Sequence, residues 1–154
     1  MKVRTRFWAS LVVALAVAAM AVAGVKVALE KVPAPAVKAI KERFPKAEIR
    51  SVDLEGKDRY EFAMKEGDRL FDAGLTADGK LLGIKEEIDA EKIPAVVKEG
   101  VKKKFPGSEI LEAEKLTKGD GKEAEVTYEL LLKTEKGKQT VEFDSTGKYV
   151  GEAD

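Results

Sequence analysis

The chain contains no cysteine and no histidine. Without cysteine there is no disulfide framework, no zinc–thiolate site and no thiol nucleophile. Without histidine, the commonest general base and the commonest metal ligand are both missing. Serine-hydrolase triads, zinc hydrolases and His-ligated haem are disfavoured on the same ground. Charge of one sign is lacking too: 28 basic residues stand against 28 acidic ones. Nothing electrostatic therefore points to nucleic acid. Glycine-rich phosphate-binding loops are absent. Aromatic residues make up only 6%, with a single Trp. What is present is a chain of 154 residues, 44% hydrophobic and 36% charged. That length suits one compact domain or two very small ones. The hydrophobic fraction is periodic, which argues for a folded core rather than disorder.

The first residues have the form of an address. Lys2, Arg4 and Arg6 precede an apolar run from Phe7 to Met20, broken only by Ser10, and Ala21-Val22-Ala23 gives a small-x-small cleavage site. This order predicts a secretory signal peptide over residues 1–23 and a periplasmic or secreted protein. An uncleaved N-terminal anchor is the rival, and only that reading involves a membrane. Cleavage leaves 25 basic against 28 acidic residues, a net −3, and removes Trp8. An exported domain without disulfides must rest on its hydrophobic core. The two halves of the chain are therefore expected to share one.

Beyond the leader the sequence repeats. Residues 30–49 (EKVPAPAVKAIKERFPKAEI) align without gaps to residues 91–110 (EKIPAVVKEGVKKKFPGSEI), with 9 of 20 positions identical. The likeness resumes at Arg59-Tyr60-Glu61 with Thr127-Tyr128-Glu129, and at the turns around Asp78-Gly79 and Thr146-Gly147. The offset grows from 61 to 68, so the second copy carries about seven extra residues, assigned to 115–123. Two repeats are expected, over 30–89 and 91–154.

Each copy predicts one helix and about four antiparallel strands. Pro33 and Pro94 suit helix starts. Val37, Ile40 and Phe44 share a helical face, as do Val97, Val101 and Phe105. Pro45 and Pro106 stop the helices. Gly100 weakens the second helix by about 1 kcal/mol relative to Ala, and looser docking is expected there. Tyr60, Phe62 and Met64 alternate with other residues, as do Val126, Tyr128, Leu130 and Leu132. Phe71, Ala73 and Leu75 form the next inner face, matched by Val141 and Phe143. Leu82, Ile84 and Ile88 close the first copy. Such one-sided strands need a cover, which the helices supply.

The pattern of Pro33, Val37, Ala39, Ile40, Phe44, Pro45, Ala47 and Ile49 resembles the start of a PepSY-like domain. Tyr60-Glu61-Phe62 and Asp78-Gly79-Lys80-Leu81 stand where that family has its strand and hairpin motifs. The resemblance implies an α+β fold like that of β-lactamase-inhibitory protein, with two tandem helix-plus-four-stranded antiparallel units making one sheet. It also implies an exported binding module that is not an enzyme, needs no cofactor, and inhibits or regulates a cell-envelope hydrolase or peptidase.

The candidate partner surface is the sheet face away from the helices. Alternation places Arg59, Glu61 and Lys65 there in the first copy, and Thr127, Glu129, Leu131 and Lys133 in the second, with Thr140 and Glu142 on the next strand. A protein or peptide of the cell envelope is the expected partner. A binder of small ligands or divalent cations in the periplasm is the alternative. Glu61 and Glu129 would serve acid–base chemistry only if close together. Gly119-Asp120-Gly121, Glu123 and Glu125 lack the spacing of a calcium loop and read as a hairpin turn. The basic run Lys102-Lys103-Lys104 reads as a solvated helix face.

Overall fold

The computed structural model describes residues 24–121 and 124–153. The signal-peptide reading falls on residues 1–23, outside that range, as does Glu123. A short strand β1 (Val25–Lys26) leads to α1 (Ala34–Arg43) and then to β2 (Glu48–Glu55), β3 (Arg59–Glu66), β4 (Arg69–Thr76) and β5 (Leu81–Glu87). The same order follows again: α2 (Ala95–Lys104), β6 (Glu109–Lys118), β7 (Glu125–Thr134), β8 (Gly137–Asp144) and β9 (Tyr149–Glu152). Among the described residues nine strands lie side by side in chain order, every neighbour antiparallel. Two tandem helix-plus-four-strand units thus form one continuous sheet.

The strand register shows that both helices cover the same side. Paired residues of an antiparallel ladder share a face. Phe71 pairs with Glu86, Glu86 with Lys115, and Lys115 with Tyr128. Phe71 belongs to the buried cluster of the first unit and Tyr128 to that of the second. One row therefore runs from one cluster to the other on the back of the sheet.

Those clusters are separate, contrary to the expectation of a shared core. Ala36, Ile40, Phe62, Met64 and Phe71 belong to one, and Val97, Val101, Leu130, Val141 and Phe143 to the other. The reason lies at the seam, where β5 pairs with β6. Its back-facing pairs are Ile84 with Thr117 and Glu86 with Lys115, which are largely polar. Glu86 is held by a bidentate ion pair from Arg69, at 2.8 and 3.0 Å. Such charged side chains interrupt an apolar layer, because desolvating them without partners is costly.

Three local readings change. In α1 the fully buried positions are Ala36 and Ile40, and Val37 is only partly buried. Ala36 is the counterpart of Val97, so the helix turns its smaller residue inward. At the start of β5 the core residue is Leu81, not Leu82, because a register shift at Gly74/Leu75 places Leu81 opposite Leu75.

Gly100 does not loosen α2. A Cβ there would overlap the carbonyl oxygen of Gly147, in the β8–β9 turn. The first unit has Ala39 at the equivalent place, facing the β4–β5 turn at Gly79. Gly79 and Gly147 both have positive φ, 89° and 84°, as these tight turns require. A Cβ on Gly79 would approach Pro35 O to 2.7 Å, whereas one on Gly147 would meet Val96 O at still shorter range. The missing side chain at Gly100 lets the turn sit closer to the helix.

Candidate functional site

The seven extra residues of the second unit do not all lie in a loop. β6 and β7 are each two residues longer than β2 and β3, and the β6–β7 connection is three residues longer than the β2–β3 connection. Lys115 to Lys118, expected in a loop, complete β6 and pair with β5. The hairpin is therefore longer, and its added length builds the seam.

On the front of the sheet, away from the helices, register brings charged side chains into rows. Glu87 pairs with Glu114, Glu114 with Glu129, and Glu129 with Glu142. An adjacent row runs Ser51, Ala63, Asp72, Lys85, Leu116, Thr127 and Asp144. Two lysines bind into these rows. Lys85 Nζ lies 2.7 Å from Glu114 and 4.0 Å from Glu129, and Lys118 Nζ lies 3.4 Å from Glu142.

Beside the seam the two glycines Gly74 and Gly83 face each other across β4 and β5. With no side chains they floor a depression of about 300 Å3, rimmed by Arg59, Glu61, Asp72, Lys85, Leu116 and Lys118. Gly83 is held by close packing, since a Cβ there would stand 2.7 Å from Thr117 O. The guanidinium of Arg59 lies across Gly74, and its Nε and Nη2 reach Glu55 at 3.1 Å and Glu61 at 3.3 Å.

The carboxylates of this face are perturbed. Partial burial raises the pKa of Glu61, assisted by Glu55 and Asp72 and opposed by Arg59. Burial likewise raises that of Asp72, with Lys85 opposing and Glu114 assisting. Burial raises Glu129 as well, against the pull of Lys85. For Lys85, burial acts downward, but its hydrogen bond to Glu114 and the surrounding carboxylates prevail and its pKa rises. These groups are half-removed from water without full ion-pair compensation.

The expected surface residues divide accordingly. Glu61, Glu129 and Glu142 lie half-buried on the front face, with Glu129 and Glu142 directly paired. Leu131 pairs with Thr140, next to that row. Arg59, Lys65 and Lys133 are exposed, Lys65 opposite Glu48 and Leu70, and Lys133 opposite Glu109 and Lys138. Thr127 is not exposed: it retains 2% of its accessible surface, and its Oγ1 has no hydrogen-bond partner among the described residues. Lys118 on β6 reaches Glu142 on β8 at 3.4 Å, across β7, the strand that carries Thr127.

Glu61 and Glu129 stand on strands four apart, roughly 19 Å along the sheet at normal strand spacing. Carboxylate pairs that cleave glycosides stand about 5–9.5 Å apart. Among the described residues, no group of three or more acidic side chains is arranged to hold a metal ion.

Asp72, Lys85, Glu114 and Lys118 were absent from the expected set. All lie on the front face, and all but Asp72 on the seam strands. The alternation Gly83, Lys85, Glu87 and Glu114, Leu116, Lys118 was the available signal, masked by reading 115–123 as a loop.

The architecture is α+β, of the type found in β-lactamase-inhibitory-protein-like (BLIP-like) proteins. A BLIP-like protein from Bacteroides fragilis is similar with a TM-score of 0.62 and 16% identity, over 78% of this chain and 84% of that one. A DUF2874 family protein from Bacteroides ovatus gives a TM-score of 0.64 at 9% identity, over 79% and 86%. A Bacteroides eggerthii protein, provisionally described as periplasmic, gives 0.63 at 13%, over 79% and 87%. These likenesses define the fold. No family model matches the chain, and no curated protein matches it.

Proposed function

We propose that this protein is an exported, non-enzymatic PepSY-like binding module. It docks a protein or peptide of the cell envelope on the front of its sheet and so restrains a hydrolase or peptidase. One observation carries the reading: the sheet face opposite the helices holds half-buried carboxylates whose desolvation the protein's own cations only partly offset. A partner that supplies further compensation gains binding energy there. The BLIP-like fold supports a protein-binding role, and the periplasmic description of a similar structure supports export. The division into repeats 30–89 and 91–154 belongs to the same reading, as does a leader over residues 1–23.

The test is capture from the native envelope fraction, with the protein and its face variants as bait. Glu61→Lys and Glu129→Lys should each abolish capture of the same partner, while Glu99→Lys, on exposed α2, should retain it. Capture indifferent to all three substitutions would remove the front face from the account. Export has its own check: the processed protein lacks Trp8 and shows only tyrosine fluorescence.

A further inference from the structure

We propose that the β6–β8 part of the front face is a seat for an arginine side chain of the docking partner, and that Lys118 fills this seat in the unbound protein. The inference rests on the front-face reading above and assigns its chemistry. Glu114, Glu129 and Glu142 stand side by side on three adjacent strands. Like charges directly opposite one another destabilise a sheet. Among the described residues, two lysines relieve this row, and they are bound differently. Lys85 lies 2.7 Å from Glu114 and also reaches Glu129 at 4.0 Å. Among the described residues Lys118 has Glu142 alone, at 3.4 Å, and its side chain is 58% exposed. It is the replaceable cation.

Thr127 stands on β7, between the strands of Lys118 and Glu142. Thr127 Oγ1 is buried on this face and has no hydrogen-bond partner among the described residues. A buried hydroxyl without a partner is costly and uncommon in a finished site. An ammonium on a long stem offers one compact charge, whereas a guanidinium offers a planar fork of N–H donors. A guanidinium in place of the Lys118 ammonium can donate to Glu142 and Glu129 and also to Thr127 Oγ1. The seat belongs to the second unit only, because Lys118 comes from the added length of the β6–β7 hairpin.

The test is an NMR titration of the full chain with three capped tripeptides, Gly-Arg-Gly, Gly-Leu-Gly and Gly-Glu-Gly. The arginine peptide should shift the amides of Thr127 and Glu142. Lys118→Gln should tighten it about three- to tenfold, since a competitor is removed, and Glu142→Gln should weaken it about tenfold. Thr127→Val should weaken it less, with the remaining spectrum unchanged. Equal affinity in wild type and Lys118→Gln, or no loss in Glu142→Gln, would overturn the proposal. If the leucine or glutamate peptide moves these amides and the arginine peptide does not, the docking face stands and the arginine assignment fails. If none of the three moves any front-face amide, both fail.

Discussion

Arg43 of α1 donates from Nη1 to Oδ2 of Asp120 at 2.9 Å, and from Nη2 to the other carboxylate oxygen. This bidentate pair joins the helix of the first unit to the hairpin tip of the second, 77 residues away. Both side chains are nearly half exposed, at 41% and 47%, so the pair acts on position more than on global stability. The hydrogen bonds from Arg43 hold the Asp120 carboxyl below its usual range. At the root of the tip, the Gly119 amide donates to Leu82 O at 2.7 Å.

Breaking the pair should therefore loosen the tip and little else. In Arg43→Leu, hydrogen exchange at the Gly119 amide should rise several-fold, while exchange in Phe62 and Val141, inside the two buried clusters, stays unchanged. Faster exchange throughout β2 to β5 would show that the pair supports the whole first unit.

Gly100 gives a prediction whose sign opposes helix propensity. Ala is favoured over Gly inside a helix by about 1 kcal/mol, so Gly100→Ala should stabilise an isolated α2. In the folded protein the added methyl overlaps Gly147 O. The expected net result is a loss of about 1–3 kcal/mol, typical of an overpacked contact. Ala39→Gly, at the equivalent position of α1, should lose about 1 kcal/mol from propensity. Urea denaturation of the two variants checks the pair, and a stabilised Gly100→Ala would contradict the close turn.

Thr127 yields a second stability test. Its hydroxyl is buried and unpaired, so replacing it by an isosteric methyl removes a desolvated polar group. Thr127→Val should stabilise the protein by about 1 kcal/mol, whereas Thr140→Val, half-buried on β8, should be nearly neutral. A destabilised Thr127→Val would mean that the hydroxyl has a partner in solution.

These features differ in how far alternation and repetition reveal them. Phe62, Phe71, Val141 and Phe143 were legible because strand side chains alternate strictly between faces. Both helices were legible because proline and phenylalanine bracket an apolar stripe in each. Three other features were not. Thr127 falls on the front face by alternation, yet it is buried there, on a strand flanked by Leu116 of β6 and Asp144 of β8. The separate cores depend on Glu86 facing Lys115 across the seam, a pairing set by register between units. Gly100 reads as a helix flaw until the turn that approaches it is known. In each case the deciding contact comes from elsewhere in the chain, beyond the reach of local periodicity.

The perturbed carboxylates set a pH dependence with two opposing parts. Burial raises Glu61 and Glu129 above the ordinary 4.5, and Asp72 above 3.8. Between the ordinary and the raised values the folded state binds more protons than the unfolded state. Stability from these groups is therefore present at low pH and is lost as pH rises through the raised values. Asp144 behaves in the opposite sense. Hydrogen bonds from the Thr146 hydroxyl (2.6 Å) and the Lys148 amide (3.0 Å) hold it below 3.8. Its contribution is present above the unfolded value and is lost as pH falls through the lowered one. The double variant Glu61→Gln/Glu129→Gln should match wild type near pH 4 and exceed it by a margin that grows toward about pH 7. Asp144→Ala should be weaker than wild type at neutral pH and converge with it in strong acid. Urea midpoints across this range give both difference curves. A pH-independent gain in the double variant would show that its carboxylates titrate alike in folded and unfolded chains, and that burial does not perturb this face.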